Sequence, residues 1–147
     1  MTEGDINFDL VKKFLTGVKS QLLEGNEDEP SIYFYTRLRL VRVIGEKKVG
    51  HELVEVFAPR NVALLFFHTD PHNFFSGAKT EIAIYSHDDD SQERVLTGPI
   101  DQQIEETLNF ILEKTKEQAN HEFVAYHTRA LREAVVNAFH HRGYEEC

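Results

Sequence analysis

Apolar residues spaced three and four positions apart predict three long helices in this chain. The first covers about Asn7 to Leu23, and the second runs from about Asp101 to Lys116 with acidic residues on its opposite face. The third runs from about Arg129 to His141, and Thr128 is its candidate N-cap residue. These segments carry the 3.6-residue period of amphipathic helices that cover an apolar core.

Alternation of apolar and polar residues predicts the strands. Residues Ile32 to Leu40 alternate in this way, and the apolar run continues to Ile44. The segment Gly45–Gly50 supplies a turn with glycine at both ends, and the chain returns through Glu52 to Phe57. The simplest interpretation is a β-hairpin.

Two further segments are less regular in pattern. The apolar run Val62–Phe67 fits either a short helix capped by Asn61 or a buried strand. A strand is predicted at Glu81–Tyr85, followed by a polar loop over His87–Arg94. The whole chain is therefore predicted to be a single α+β domain, in which two or three helices cover an antiparallel hairpin and further strands.

Length and composition narrow the class of protein. The chain has 147 residues, of which 41% are hydrophobic and 28% charged, which fits one globular domain. No apolar run reaches the roughly 18 residues of a membrane span, and the N-terminus lacks a secretory signal. Cys147 is the single cysteine and cannot form an internal disulfide. We expect an intracellular protein, cytoplasmic or nuclear.

The formal net charge of -9 disfavours an extended nucleic-acid groove. One basic concentration offsets this, and it contains Arg37, Arg39, Arg42, Lys47, Lys48 and Arg60, preceded by Tyr33 and Tyr35. It fits the solvated face of a strand. The alternative is a nucleic-acid-binding module that uses Tyr33, Tyr35, Arg37 and Arg39, with Lys47 and Lys48 as further contacts.

The last predicted helix carries two chemically different sides. At about 100° per residue, Leu131, Val135 and Ala138 lie on one side. The opposite side holds Glu133, Asn137, His140 and His141. One side is predicted to pack against the core while the other meets solvent or a ligand.

Three segments, in order along the chain, resemble one family. They are Pro59–Pro71, Gly98-Pro99-Ile100 with the helix after it, and Ala130–Tyr144, which carries Glu-x-x-x-Asn-Ala and then His-Arg-x-Tyr. Together they resemble the Schlafen/AlbA-type and RecG-like putative transcriptional regulators, whose ATPase domain is a divergent GHKL type. This chain departs from the family at Arg60, His68 and Gly143. The resemblance implies a connector α+β domain at residues 1–127 and the first helix of an ATP-binding domain at 128–147.

In a complete relative, the resemblance implies an ATP site with Mg²⁺. Glu133 would orient or deprotonate the attacking water as the catalytic residue, and Asn137 would coordinate the metal. Asn137, His141 and Arg142 would take part in cofactor binding. The family's ATP site also needs an Asp-x-Gly-x-Gly loop and a glycine-rich lid, and neither occurs in this sequence. We therefore expect a fragment that is non-catalytic in isolation and whose partners are the missing domains of the parent regulator.

Other classes of function stay open. A protein-interaction or dimerisation module, including a homodimer, would use the apolar side chains of Phe66, Phe67, Phe74, Phe75 and Phe139. His68 and His72 flank Asp70 in a spacing that invites a metal site, but Pro71 argues against a helix and favours a turn. The acidic run Asp88-Asp89-Asp90 lacks the other ligands of a calcium loop and is interpreted as solvated.

Overall fold

Five α-helices and two antiparallel two-stranded sheets occur in the computed structural model, which describes residues 3–25, 30–85, 92–118 and 124–144. The predicted α+β class is confirmed. The Cα positions divide into two compact units, Met1–Thr69 and Asp70–Cys147. Each unit combines helices with one of the two sheets.

The first unit contains three helices and one hairpin. Its elements are α1 (Phe8–Gly17), α2 (Ile32–Arg37), β1 (Val41–Val49), β2 (Glu52–Pro59) and α3 (Asn61–Phe67). Buried side chains from both helical and strand segments form its core, and they include Val11, Leu15, Phe34, Tyr35, Leu40, Val41 and Ala63. Asn7 caps α1, since its side-chain oxygen accepts hydrogen bonds from the amides of Asp9 and Leu10.

Helix α1 ends at Gly17, earlier than the predicted Leu23. Lys19 adopts a left-handed conformation with φ of 53°. Its amide donates to the Thr16 carbonyl at 3.1 Å, and the Ser20 amide donates to the Leu15 carbonyl at 2.9 Å. This is the bond pair of a Schellman motif, which stops a helix by satisfying its last carbonyls. Apolar spacing continued past this point and did not reveal the stop.

Residues 32–37 form helix α2, so the prediction of a strand over Ile32–Leu40 was wrong. The Ser31 hydroxyl accepts a hydrogen bond from the Phe34 amide at 3.2 Å and caps the helix. Phe34 and Tyr35 are both buried. Two adjacent buried side chains suit one side of a helix and not the alternating faces of a strand. Tertiary burial thus outweighs the strand propensity of the aromatic run.

Strands β1 and β2 form the predicted hairpin with a shorter turn. The strands pair up to Val49 and Glu52, which leaves Gly50 and His51 as a two-residue loop. Gly50 has φ of 64°, which glycine adopts without steric cost. Gly45 does not belong to the turn, because it lies within β1 at a register shift typical of a β-bulge.

Helix α3 confirms the helical alternative for the apolar run after Pro59. It buries Ala63 and Leu64 completely. The N-cap position is occupied by Arg60 and not by Asn61, and no side chain caps this end. The Arg60 amide instead donates to the Leu40 carbonyl at 2.8 Å, which ties the start of the helix to the residue before β1.

The second unit places two long helices beside one sheet. Its elements are β3 (Thr80–Ile84), β4 (Gln92–Leu96), α4 (Ile100–Gln118) and α5 (Val124–His140). The two strands pair in antiparallel register from Thr80 with Leu96 to Ile84 with Gln92. Helix α4 contacts β4 and packs against α5. Its buried side chains include Ile100, Gln103, Thr107, Leu108 and Phe110.

Two boundaries in this unit differ from the sequence prediction. Residues Gln92–Arg94 belong to β4 and not to a loop, because their backbone pairs with β3 while their side chains stay exposed. Polar residues are compatible with a strand whose face is solvated. Helix α5 begins at Val124, so Thr128 lies inside it and is not its cap. No proline or glycine separates these two positions, and nothing in the sequence forces a later start.

Candidate functional site

Helix α5 exposes the group of polar residues that the sequence singled out. Val135 and Phe139 are buried, and Leu131, one turn earlier, is half-buried. Glu133, Asn137 and His140 are exposed, together with the other side chains on that side of the helix. A period of four residues separates the buried positions, so the helix turns one narrow stripe toward the core. The predicted polar side is present, and Leu131 and Val135 lie on the packing side as predicted. The placement of Ala138 on that side was wrong: Ala138 is exposed, and Phe139, four residues after Val135, is buried instead.

Glu133 and Asn137 are one helical turn apart and therefore neighbours on the surface. The pair offers a carboxylate and an amide oxygen, which are the ligand types that Mg²⁺ accepts alongside water. No group of three or more His, Cys, Asp or Glu side chains within the described ranges is placed to hold a metal ion. The structure therefore shows two adjacent, exposed side chains that carry oxygen atoms.

Arg142, a predicted cofactor-binding residue, is engaged within the fold. One terminal nitrogen of its guanidinium donates to the Thr80 hydroxyl oxygen at 3.2 Å, and the other donates to the Lys79 carbonyl. The guanidinium also lies 5.8 Å from the centre of the Tyr144 ring. Arg142 is half-buried, whereas His141 next to it is exposed and packs edge-on against His140 at 5.0 Å. Only His141 of these two cofactor-binding candidates is therefore presented to solvent.

Tyr144 holds the chain after α5 against the rest of its unit. Its hydroxyl donates to the Phe139 carbonyl at 2.7 Å, one of the last carbonyls of the helix. Its own carbonyl accepts from the Gly77 amide at 3.2 Å. Burial raises the pKa of the Tyr144 phenol, and the nearby Arg142 charge acts in the opposite direction.

Gln103 is a central polar residue that the sequence analysis missed. Its side-chain nitrogen donates to the Ala78 carbonyl at 2.9 Å and to the Gly98 carbonyl at 2.6 Å. Its side-chain oxygen accepts from the Thr80 hydroxyl at 2.7 Å. Gln103 is fully buried, so these bonds replace its water contacts. The available signal was its spacing of three and four residues from Ile100 and Thr107, which places it on the buried stripe of α4.

Surface charges join α4 to both of its neighbours. Arg132 on α5 and Glu105 on α4 form an ion pair of 2.8 Å, with side chains 58% and 54% exposed. Arg94 on β4 lies 3.7 Å from Glu106 and over the ring of Phe110 at 5.6 Å. Exposed pairs of this kind contribute about 1 kcal/mol or less to stability. Arg132, which precedes Glu133 in the sequence, is thus paired with a residue of another helix.

The basic concentration does not form one strand face. Arg37 and Arg39 lie at the end of α2, and Lys47 and Lys48 lie on β1, all with exposed side chains. Tyr35 is buried and is not available to stack on a base, whereas Tyr33 is 71% exposed. The predicted arrangement of two tyrosines beside two arginines on one exposed strand was therefore wrong. The reason is the helical conformation of α2.

The phenylalanines predicted to offer apolar contacts are largely internal. Phe75 and Phe139 are buried, and Phe66, Phe67 and Phe74 are half-buried. Exposed aliphatic side chains occur instead on the β1–β2 hairpin. They are Val43, Ile44, Val49, Leu53 and Val54.

The two histidines that flank Asp70 do not lie on one helix. His68 is the C-cap residue of α3, with extended backbone, and His72 lies in the short 3₁₀ turn Pro71–Asn73. The favoured turn at this segment is confirmed. Residues Asp88–Asp90, Cys147 and part of the predicted 87–94 loop lie outside the described residues.

Comparison of the chain with family models, curated proteins and solved structures finds no match. The family resemblance therefore stays a prediction from the residues quoted above. In the described part of the chain, no helix combines the length and apolar character needed to cross a membrane.

Proposed function

We propose that this chain is the connector region of a Schlafen/RecG-like, DNA-associated regulator and that α5 contributes to its ATP–Mg²⁺ site. Glu133 and Asn137 are the residues assigned to that contribution. The chain by itself is non-catalytic, because a complete site also needs glycine-rich phosphate loops that this sequence lacks.

The observation that carries the proposal is the exposure of Glu133 and Asn137 on one side of a helix that buries Val135 and Phe139 on the other. A carboxylate and an amide one turn apart suit an octahedral cation that keeps several waters and bridges phosphate oxygens. The helix is held in place by Val135 and Phe139 in the core and by Tyr144 at its end. The polar side is thus presented by a helix that packs against the core, and a regular element of this kind suits a binding site.

Arg142 receives a different role in this proposal. Its two guanidinium donors are already directed to Thr80 and Lys79. We assign it to positioning the end of α5, and we keep Asn137 and His141 as the groups that face a nucleotide. This division separates residues that hold the helix from residues that meet the ligand.

Calorimetric titration of the full chain with Mg-ATP tests the proposal. Weak but saturable binding is expected, because the phosphate loops are missing. Glu133→Ala or Asn137→Ala should weaken it about tenfold or more through the loss of a charged or metal-directed contact. Glu113→Ala is the matched control, because Glu113 is an exposed glutamate on the neighbouring helix α4. Phosphate release should stay at background in every sample.

Two results would overturn this assignment. One is the absence of saturable binding by a chain whose circular dichroism shows it to be folded. The other is binding that Glu133→Ala and Asn137→Ala leave unchanged. Repeating the titration with ATP and EDTA should abolish the binding if Mg²⁺ bridges the helix and the phosphates.

A further inference from the structure

The β1–β2 hairpin extends beyond the core that anchors it. In β1 only Val41 is buried, and in β2 only Ala58 and Pro59 are buried, all at the end where the strands leave the core. The remainder of the ribbon is exposed or half-exposed on both faces. An isolated two-stranded ribbon is marginally stable in water. Exposed aliphatic side chains on such a ribbon favour its burial against another protein surface.

The strand register separates the residues of the two faces. Lys47 pairs with Val54 and Val49 pairs with Glu52, and side chains two residues apart share a face. One face therefore carries Lys47, Val49, Glu52, Val54 and Val56, and we name it the valine face. Val49 and Val54 are 55% and 41% exposed.

The opposite face is unsuited to burial. Glu46 and Glu55 lie directly across from each other, and two like charges in this position destabilise a strand pair unless water screens them. Lys48 and Leu53 are the next pair on that face, whose exposed aliphatic residues are Leu53 near the tip and Val43 nearer the core. Toward the tip, burial of the valine face removes two charges of opposite sign from water, Lys47 and Glu52. Burial of the opposite face removes three, and two of them are glutamates that lie across from each other.

The charges on the valine face are self-complementary. It carries one lysine on β1 and one glutamate on β2, in neighbouring pairs of the ladder. Neither Lys47 nor Glu52 forms an ion pair with another described residue. A two-fold axis through such a face sets each lysine beside the glutamate of the other copy, so two ion pairs flank a strip of valines.

We propose that the valine face is a homodimer interface, in which Lys47 of each copy pairs with Glu52 of the other. The occupant of this surface is thus a second copy of the chain. The contact is isologous: the same residues meet from both sides, and the assembly closes at two copies. This inference does not depend on nucleotide binding by α5.

Sedimentation equilibrium on the full chain tests the dimer, with charge reversals on the valine face. Lys47→Glu and Glu52→Lys each place like charges opposite each other twice, and each should weaken dimerisation about tenfold or more. An equimolar mixture of the two variants should dimerise again, because every contact between unlike copies is then attractive. Rescue by mixing requires a contact between chains and does not arise from repair within one chain.

Lys48→Glu is the matched control. It makes the same charge change at the next residue, on the opposite face, and should leave the dimer unaffected. A monomer at the highest concentration reached would overturn the proposal. So would a dimer that Lys47→Glu and Glu52→Lys leave intact, a mixture that does not reassociate, or an equal loss in Lys48→Glu. Circular dichroism of each variant checks that the fold is retained.

Discussion

The Thr80 hydroxyl donates a hydrogen bond of 2.7 Å to the side-chain oxygen of Gln103. The same hydroxyl oxygen accepts a bond from Arg142 at 3.2 Å. One small side chain at the start of β3 thereby connects α4 with the segment that follows α5. Because Gln103 also donates to two backbone carbonyls, the network joins α4, the start of β3 and Arg142, two residues after the end of α5.

Replacing Gln103 by methionine tests the network. The side chains are similar in size, but methionine provides no donor for the carbonyls of Ala78 and Gly98. Buried carbonyls that lose a partner cost about 1–3 kcal/mol, so the free energy of unfolding should fall by roughly that amount. Urea denaturation measures the change.

Gln102→Met serves as the control for this substitution. Gln102 is the adjacent residue and is only half-buried. Its replacement should change the free energy of unfolding by about 0.5 kcal/mol or less. Equal losses in the two variants would contradict a specific role for the Gln103 amide.

The pH dependence of stability should reveal Tyr144. Because burial raises the pKa of its phenol in the folded chain, Tyr144 contributes stability that is fully present below about pH 10 and is lost as the pH rises through the folded-state pKa. The neutral phenol is also the form that donates to the Phe139 carbonyl. The wild-type melting temperature should therefore fall more steeply between about pH 9 and 11 than that of Tyr144→Phe.

Comparison of the two chains isolates the contribution of Tyr144, because all other residues are the same in both. At pH 7 the Tyr144→Phe chain should be less stable by about 1 kcal/mol, the net value of one hydrogen bond. Parallel melting curves at every pH would show that the phenol does not titrate in a buried setting.

Arg39 occupies a position that suits glycine. It has φ of 57°, and the Leu40 amide after it donates to the Tyr35 carbonyl in the Schellman motif that ends α2. The left-handed conformation costs a residue with a Cβ roughly 1 kcal/mol. Arg39→Gly should raise the free energy of unfolding by about 0.5–1 kcal/mol, as measured in urea.

Arg37→Gly is the paired substitution with the opposite expectation. Arg37 is exposed like Arg39, but it is the last residue of helix α2. Glycine within a helix costs up to about 1 kcal/mol, so this variant should lose stability or stay unchanged. Stabilisation by both substitutions would mean that the removal of positive charge, and not the backbone conformation, produces the effect.

Local pattern was sufficient where one rule dominated. The long helix α4, the β1–β2 hairpin and the strand at Glu81 follow from period and turn residues, and the polar side of α5 follows from a rotation of about 100° per residue. Helix ends were harder to predict from the sequence. Lys19 and Arg39 follow their helices in a left-handed conformation that neither residue type favours.

The buried network required the tertiary structure. Gln103 and Thr80 are far apart in sequence, and only the packing of α4 beside the sheet brings the hydroxyl to the amide. The same holds for Arg142, whose position in a His-Arg-x-Tyr motif indicated a ligand although its guanidinium meets the backbone of Lys79. The hydrogen-bond partner of a polar side chain depends on distances in the folded chain, and the order of residues in the sequence does not give these distances.

The sequence by itself determined an α+β chain with a helix that offers Glu133 and Asn137 on one side, since period and residue chemistry are local properties. The tertiary structure decided that Ile32–Arg37 is a helix, because Phe34 and Tyr35 gain more from joint burial than from the strand conformation that their propensity favours. The tertiary structure also decided which apolar side chains remain exposed to solvent. The five phenylalanines predicted to offer apolar contacts are buried or half-buried, whereas Val43, Val49 and Val54 of the hairpin are exposed in the described part of the chain.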